Sequence, residues 1–200
     1  MLNGVRAAVI AGQSAASKGA CIIGSGEIAA SEGNEGERRM AVSLRESVER
    51  VSDPRNVDAS VEEVFRMMLG IDCERAADSA AAGMESVTAV VGFGGLLSGA
   101  CVFRSAASTA MKIAAQMTGM EFTEVDDTVK DGMGEICNML AGSWKGKVPE
   151  LAANCGLSIP AVITGRDYNL HVQAPEFQVH HVYRFGDEVF EVTIVCDGLQ

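Results

Sequence analysis

The chain has 200 residues, 48% of them hydrophobic, enough for one domain with extra sequence or at most two small ones. A formal net charge of -11, with no basic run longer than Arg38-Arg39, excludes nucleic acid or an anionic membrane as the main partner. No apolar run approaches the roughly 18 residues of a membrane span, and the stretch after Met1 is too short for a signal peptide, so a cytoplasmic protein is expected.

Residues 1 to about 39 are rich in Gly, Ala and Ser and end in a charged, Gly-rich run without periodicity, which predicts a disordered or weakly ordered extension. Gly24-Ser-Gly26 follows a strand-like segment but has no third glycine at the spacing of a dinucleotide loop. Met40 opens more ordinary sequence and is read as an alternative start, and the domain division expected is 1–57 extension, 58–200 folded domain.

From Ala59 the apolar residues Val61, Val64, Phe65, Met68 and Leu69 recur at helical spacing and stop at Gly70. Ser86 to Gly92 and Leu97 to Arg104 read as strands joined by the turn signal Gly94-Gly95. A helix is predicted over Ser105 to Met117, and another from Thr128 to Lys145, with Asp126 and Asp127 placed to cap it. Leu157 to Thr164, Leu170 to Gln173, Gln178 to Phe185 and Val189 to Val195 then read as strands.

The six cysteines, Cys21, Cys73, Cys101, Cys137, Cys155 and Cys196, form no CxxC pair and most lie in apolar runs, so reduced core residues are expected. His171, His180 and His181 lack a partner at a zinc-site spacing, so no metal is expected on this chain.

At a constant offset of 72 residues, Glu63-Val-Phe-Arg-Met-Met-Leu-Gly70 lies over Glu135-Ile-Cys-Asn-Met-Leu-Ala-Gly142, and Ser86 to Val90 over Ser158 to Val162. Two pseudo-equivalent halves, each a helix followed by sheet, are inferred. Arg66 stands where Asn138 stands in the second half, so any chemistry of Glu135 with Asn138 occurs once per chain.

At 100° per residue, Asp131, Glu135, Asn138, Gly142 and Lys145 fall within about 80° of arc on the predicted helix, on a face with no large apolar side chain. Met133, Ile136, Cys137, Leu140, Trp144 and Val148 lie round the other side, so the helix should pack through them and show the Glu/Asn stripe outward. Gly132, Gly134 and Gly142 weaken this helix by about 1 kcal/mol each relative to Ala. They point either to close approach of a partner's backbone or to tight packing within the chain.

The segment Asp131-Gly-Met-Gly-Glu-Ile-Cys-Asn-Met-Leu-Ala-Gly142 resembles the D-x3-E-x2-N-x3-G pattern of the CheC/CheX/FliY family of chemotaxis phosphatases. Thr88 to Gly95, Ser98-Gly-Ala, Ala110 to Met120, Asp126-Asp127 and Ser158 to Gly165 look like the CheX class, and the resemblance spans roughly residues 58 to 197. It implies an α+β fold, a CheC-like α/β sandwich with an antiparallel-rich sheet packed by long helices, and a homodimer joined through sheet edges.

The partner implied is a phosphorylated CheY-like receiver domain, which carries its own Mg²⁺ and lysine, so this chain needs no cofactor of its own. By the family's logic Asn138 orients the attacking water and Glu135 pairs with the receiver's lysine, with Asp131, Gly142 and Lys145 as candidate docking residues. Two rival readings remain at this level: a non-catalytic, receiver-binding dimeric adaptor, and a structural subunit of a flagellar switch.

Overall fold

The computed structural model describes residues 49–77, 85–166, 168 and 175–199. The expectations for the extension before residue 49, including Gly24-Ser-Gly26, Cys21 and Met40, lie outside the described residues, as do His171 and the strand predicted over Leu170 to Gln173.

Helix α1 spans Pro54–Leu69. It starts inside the stretch assigned to the extension, because Asp53 accepts a hydrogen bond from the Arg55 N–H at 2.9 Å and Pro54 supplies the pre-set φ of a first helical residue. Val51 and Val57 already belong to the core, so folded sequence begins ahead of the expected 57/58 boundary. The helix ends where Gly70 turns left-handed, at φ 65°.

A short strand β1, Glu74–Ala76, precedes the hairpin of β2, Ser86–Gly95, and β3, Leu97–Ala106. Helices α2, Ala107–Thr118, and α3, Asp127–Gly146, follow. The Asp126 carboxylate caps α3 by accepting from the Val129 N–H at 2.9 Å. A one-and-a-half-turn helix α4, Pro149–Asn154, leads into β4, Cys155–Leu157, and β5, Ala161–Gly165, where a single strand was expected. The last two strands are β6, Phe177–Phe185, and β7, Glu188–Leu199.

All the pairings are antiparallel, in the order β1-β6-β7-β3-β2, with β4 and β5 both against the outer edge of β2. The core fills the space between one face of this sheet and α1, α2 and α3. Phe65 of α1 stacks on Phe190 of β7 with centroids 4.4 Å apart, and Trp144 of α3 lies 5.0 Å from Phe93 of β2. The α+β sandwich is therefore the architecture present. Among the described residues no helix is long and apolar enough to cross a membrane.

The register of β2 with β5 carries the internal repeat. Ala89 faces Val162 and Val90 faces Ala161. The residues equated by the offset, Ala89 with Ala161 and Val90 with Val162, thus sit diagonally about one point between the strands, as a local two-fold axis requires.

Cys101, Cys137, Cys155 and Cys196 are buried and free, and Cys73 is half-buried, its thiol pushed up to about 12 by desolvation. Cys137 donates to the Ala89 and Cys101 carbonyls at 3.4 and 3.5 Å, which seats the middle of α3 on the sheet.

His181 is part of a polar cluster joining α1, β1 and β6. The Arg75 guanidinium donates to His181 Nε2 at 2.8 Å, which leaves the ring proton on Nδ1, facing the Tyr183 hydroxyl at 3.1 Å and Asp58 at 3.2 Å. Arg75 and Tyr183 both donate to Asp58. Desolvation, then the Arg75 charge, depress the His181 pKa against the weaker opposing pull of Asp58. The folded state thus binds this proton less readily than the unfolded chain. The contribution is complete above about pH 6.5, the unfolded imidazole's value, and is lost as pH falls below it. Urea unfolding between about pH 7.5 and 5 should show stability falling with acidity in the wild type and a shallower fall in His181→Gln.

Candidate functional site

Helix α3 is aimed by its apolar face. Met133, Ile136, Cys137, Leu140 and Trp144 are all 1% exposed or less, packed on β2 and β3 and flanked by α1 and α2. With that face buried, the opposite stripe points outward: Asp131 and Glu135 are exposed, and Asn138 and Gly142 half-buried. Among the described residues, neither the Glu135 carboxylate nor the Asn138 amide is engaged by another side chain.

Their counterparts in the first half are engaged. Glu63, the equivalent of Glu135, accepts from the Ser143 hydroxyl at 2.9 Å and pairs with the Lys147 ammonium, which with Ser143 lowers its pKa. Arg66, in the place of Asn138, pairs with Glu62 at 3.0 Å and Asp72 at 2.8 Å. The first half's polar pair is committed to surface ties, Glu63 across to the end of α3 and Arg66 within and just after α1, leaving Glu135 and Asn138 as the free pair of the repeat among the described residues.

Lys145 lies at the end of the stripe, but its ammonium donates to the carbonyls of Ala152 and Cys155, at 2.9 and 2.8 Å. It tethers α4 and the start of β4 to α3. The acceptors are backbone atoms on elements that side-chain patterning did not predict, so this role was invisible in the sequence.

The glycines of α3 make room within the chain. A Cβ at Gly134 would come 3.2 Å from Pro160 Cβ and 3.6 Å from Val162 Cγ2, and one at Gly132 3.5 Å from Met117 Sδ. At Gly142 the nearest atom, Leu157 Cδ1, is 4.0 Å away, leaving that position the most open of the three.

These contacts place a segment beside the stripe that the motif alone did not indicate. Cys155 meets Lys145, Leu157 meets Gly142, and Pro160 and Val162 meet Gly134, so residues 155–162 run antiparallel to α3 along one flank of the stripe.

Among the described residues no group of His, Cys, Asp or Glu is arranged to hold a metal ion. The Ser143 hydroxyl, next to Gly142 on α3, is bonded to Glu63 on the flank. What the face offers is a free carboxylate and a free amide one helical turn apart on a rigid support, suited to pairing with a cation and orienting a water.

Residues 87–182 match the family model described as "Chemotaxis phosphatase CheX". The chain is 32% identical over 125 residues to a CheY-P phosphatase CheX of Thermotoga maritima, covering 59% of this chain and 81% of the relative. Its fold is shared with a chemotaxis protein CheX from Vibrio vulnificus, at TM-score 0.62 and 19% identity, covering 71% of this chain and 94% of that one. It is shared also with the crystal structure of a CheX-CheY-BeF3-Mg complex from Borrelia burgdorferi, at TM-score 0.58 and 20% identity over 71% and 96% of the two chains.

The fit between Gly134 and Pro160 makes a test of this site's packing. Replacing a mid-helix Gly by Ala ordinarily stabilises by about 0.5–1 kcal/mol. Gly134→Ala should instead destabilise by about 1 kcal/mol, because a proline ring cannot swing aside. Gly146→Ala, with nothing within 4 Å of the added carbon, should be neutral or stabilising, as read from urea midpoints at constant m-value.

Proposed function

Because the chain belongs to the CheX family of chemotaxis phosphatases and is by class a hydrolase, we propose that it hydrolyses the aspartyl phosphate of a CheY-like receiver domain at the α3 stripe. The observation that carries this reading is the free Glu135/Asn138 pair on α3, set against the bonded Glu63 and Arg66 of the first half.

An aspartyl phosphate in a receiver is already flanked by that domain's Mg²⁺ and lysine, so the phosphatase has to supply position and a water. Asn138 hydrogen-bonds the water and holds it in line with the scissile P–O bond. The water oxygen bonds to phosphorus, the bond to the aspartyl oxygen breaks, and the products are inorganic phosphate and the receiver's free carboxylate. Glu135, one turn before, pairs with the receiver's lysine and fixes the helix against the phosphoryl group. No enzyme-bound covalent intermediate forms, and the metal stays with the receiver.

Asp131 and the open position at Gly142 border the docking face at its two ends, and Lys145 supports it by holding α4 and β4 in place. A homodimer through a sheet edge fits β6, of which, among the described residues, β1 covers Val182, Tyr183 and Arg184. A cytoplasmic, two-component setting is supported by the free cysteines and the family's name.

The test is the dephosphorylation rate of phosphorylated receiver domains from the same genome with wild-type protein, Glu135→Ala and Asn138→Ala. Wild type should accelerate the loss of phosphate, and each variant should lower kcat/KM by roughly a hundredfold or more. Binding without acceleration by the wild type would favour the adaptor.

A further inference from the structure

The break between β4 and β5 has a definite geometry. Ser158 stands opposite Gly92: its N–H donates to the Gly92 carbonyl at 2.9 Å, and its hydroxyl oxygen accepts from the Gly92 N–H at 2.9 Å. Pairing resumes at Val90 with Ala161. Two residues, Ile159 and Pro160, therefore face the single residue Val91, a β-bulge in the edge of the sheet. Val91 alternates in step with Ala89 and Phe93, all buried, and Phe93 packs on Trp144, so the bulge lies on the α3 side of the sheet.

The bulge is held from both ends. The Ser158 hydroxyl donates to the Ile159 carbonyl at 2.9 Å, and Pro160, with its φ fixed by its ring, packs into the space left by Gly134. Between these anchors Ile159 is 89% exposed, the most exposed large apolar side chain among the described residues. Its position along α3 follows from its neighbours: Leu157 is level with Gly142 and Pro160 with Gly134, so Ile159, between them, lies close to the level of Asn138.

A lone exposed aliphatic side chain needs no explanation. One set on a clamped bulge, at the level of the reactive amide and on the flank of its helix, does.

We infer that Ile159 is a docking and specificity residue of the α3 site, inserting into an apolar depression beside the phosphorylated aspartate of the receiver. This rests on the receiver-phosphatase reading of α3. The carboxylate and amide fix register along the helix, and Ile159 fixes the angle at which the helix approaches, so Asn138 meets phosphorus in line. A receiver with a charged or bulky residue at the depression is turned away, because an apolar side chain cannot satisfy a buried charge. Ile159 is a positioning residue, with no part in bond making.

Steady-state dephosphorylation of a receiver that the wild type serves, compared for wild type, Ile159→Val and Ile159→Ser, tests this. Ile159→Ser should raise KM about tenfold with kcat within about twofold of wild type, and Ile159→Val should stay near wild type. The urea midpoint should not move, since Ile159 makes no core contact. An unchanged KM in Ile159→Ser overturns the inference, most directly if sedimentation shows instead that the variant has lost a dimer. A wild type that serves no receiver sinks the phosphatase reading itself, a separate outcome.

Discussion

The seating of α3 on the sheet is the constraint from which the rest of the structure takes its orientation. Met133, Ile136, Cys137, Leu140 and Trp144 all turn into the core, and the Cys137 thiol reaches the carbonyls of two adjacent strands. A helix held this way has no rotational freedom, so the side chains on its far face have a fixed bearing on anything that docks there. The residues closest to the proposed chemistry contribute little to stability, and those that contribute most never meet the partner.

The internal repeat sets the free Glu135/Asn138 pair against a first copy whose equivalent residues are already bonded. A local two-fold between β2 and β5 places equivalent helices over one sheet. The first copy's acid and its cation are committed to Ser143, Lys147, Glu62 and Asp72. Each exposed tie is worth little, since surface ion pairs contribute about 0–1 kcal/mol. Their consequence is one of availability: the side chains of Glu63 and Arg66 are already bonded, while those of Glu135 and Asn138 keep their hydrogen-bonding capacity.

The longer elements were legible in the sequence because their boundaries carry their own chemistry. Gly70 ends α1 and Asp126 caps α3, while Gly94-Gly95 closes β2 just ahead of the bend at Leu96 that joins it to β3. The start of α1 was misplaced because apolar periodicity from Val61 outweighed the Asp53-Pro54 start signal. The short elements were missed because they exist through tertiary pairing: β1 is three residues on β6, and α4 and β4 are tied down by Lys145. The outward stripe of Asp131, Glu135 and Asn138 could be drawn from helical arc alone. The 155–162 flank could not, because its place depends on the register of two strands against β2, although Pro160 inside a strand-like run was a visible sign of a bulge.

The central claim is that the α3 stripe is where a phosphorylated receiver docks. The most direct measurement is the NMR spectrum of the protein, with the Asn138 side-chain amide assigned, as a receiver domain is added with and without Mg²⁺ and beryllofluoride, which mimics the phosphoryl group. The account predicts changes concentrated at Asp131, Glu135, Asn138 and Gly142 and along residues 155–162, and much stronger with beryllofluoride than without. Changes centred on the sheet face away from the helices, or equally strong without the phosphoryl mimic, would contradict it.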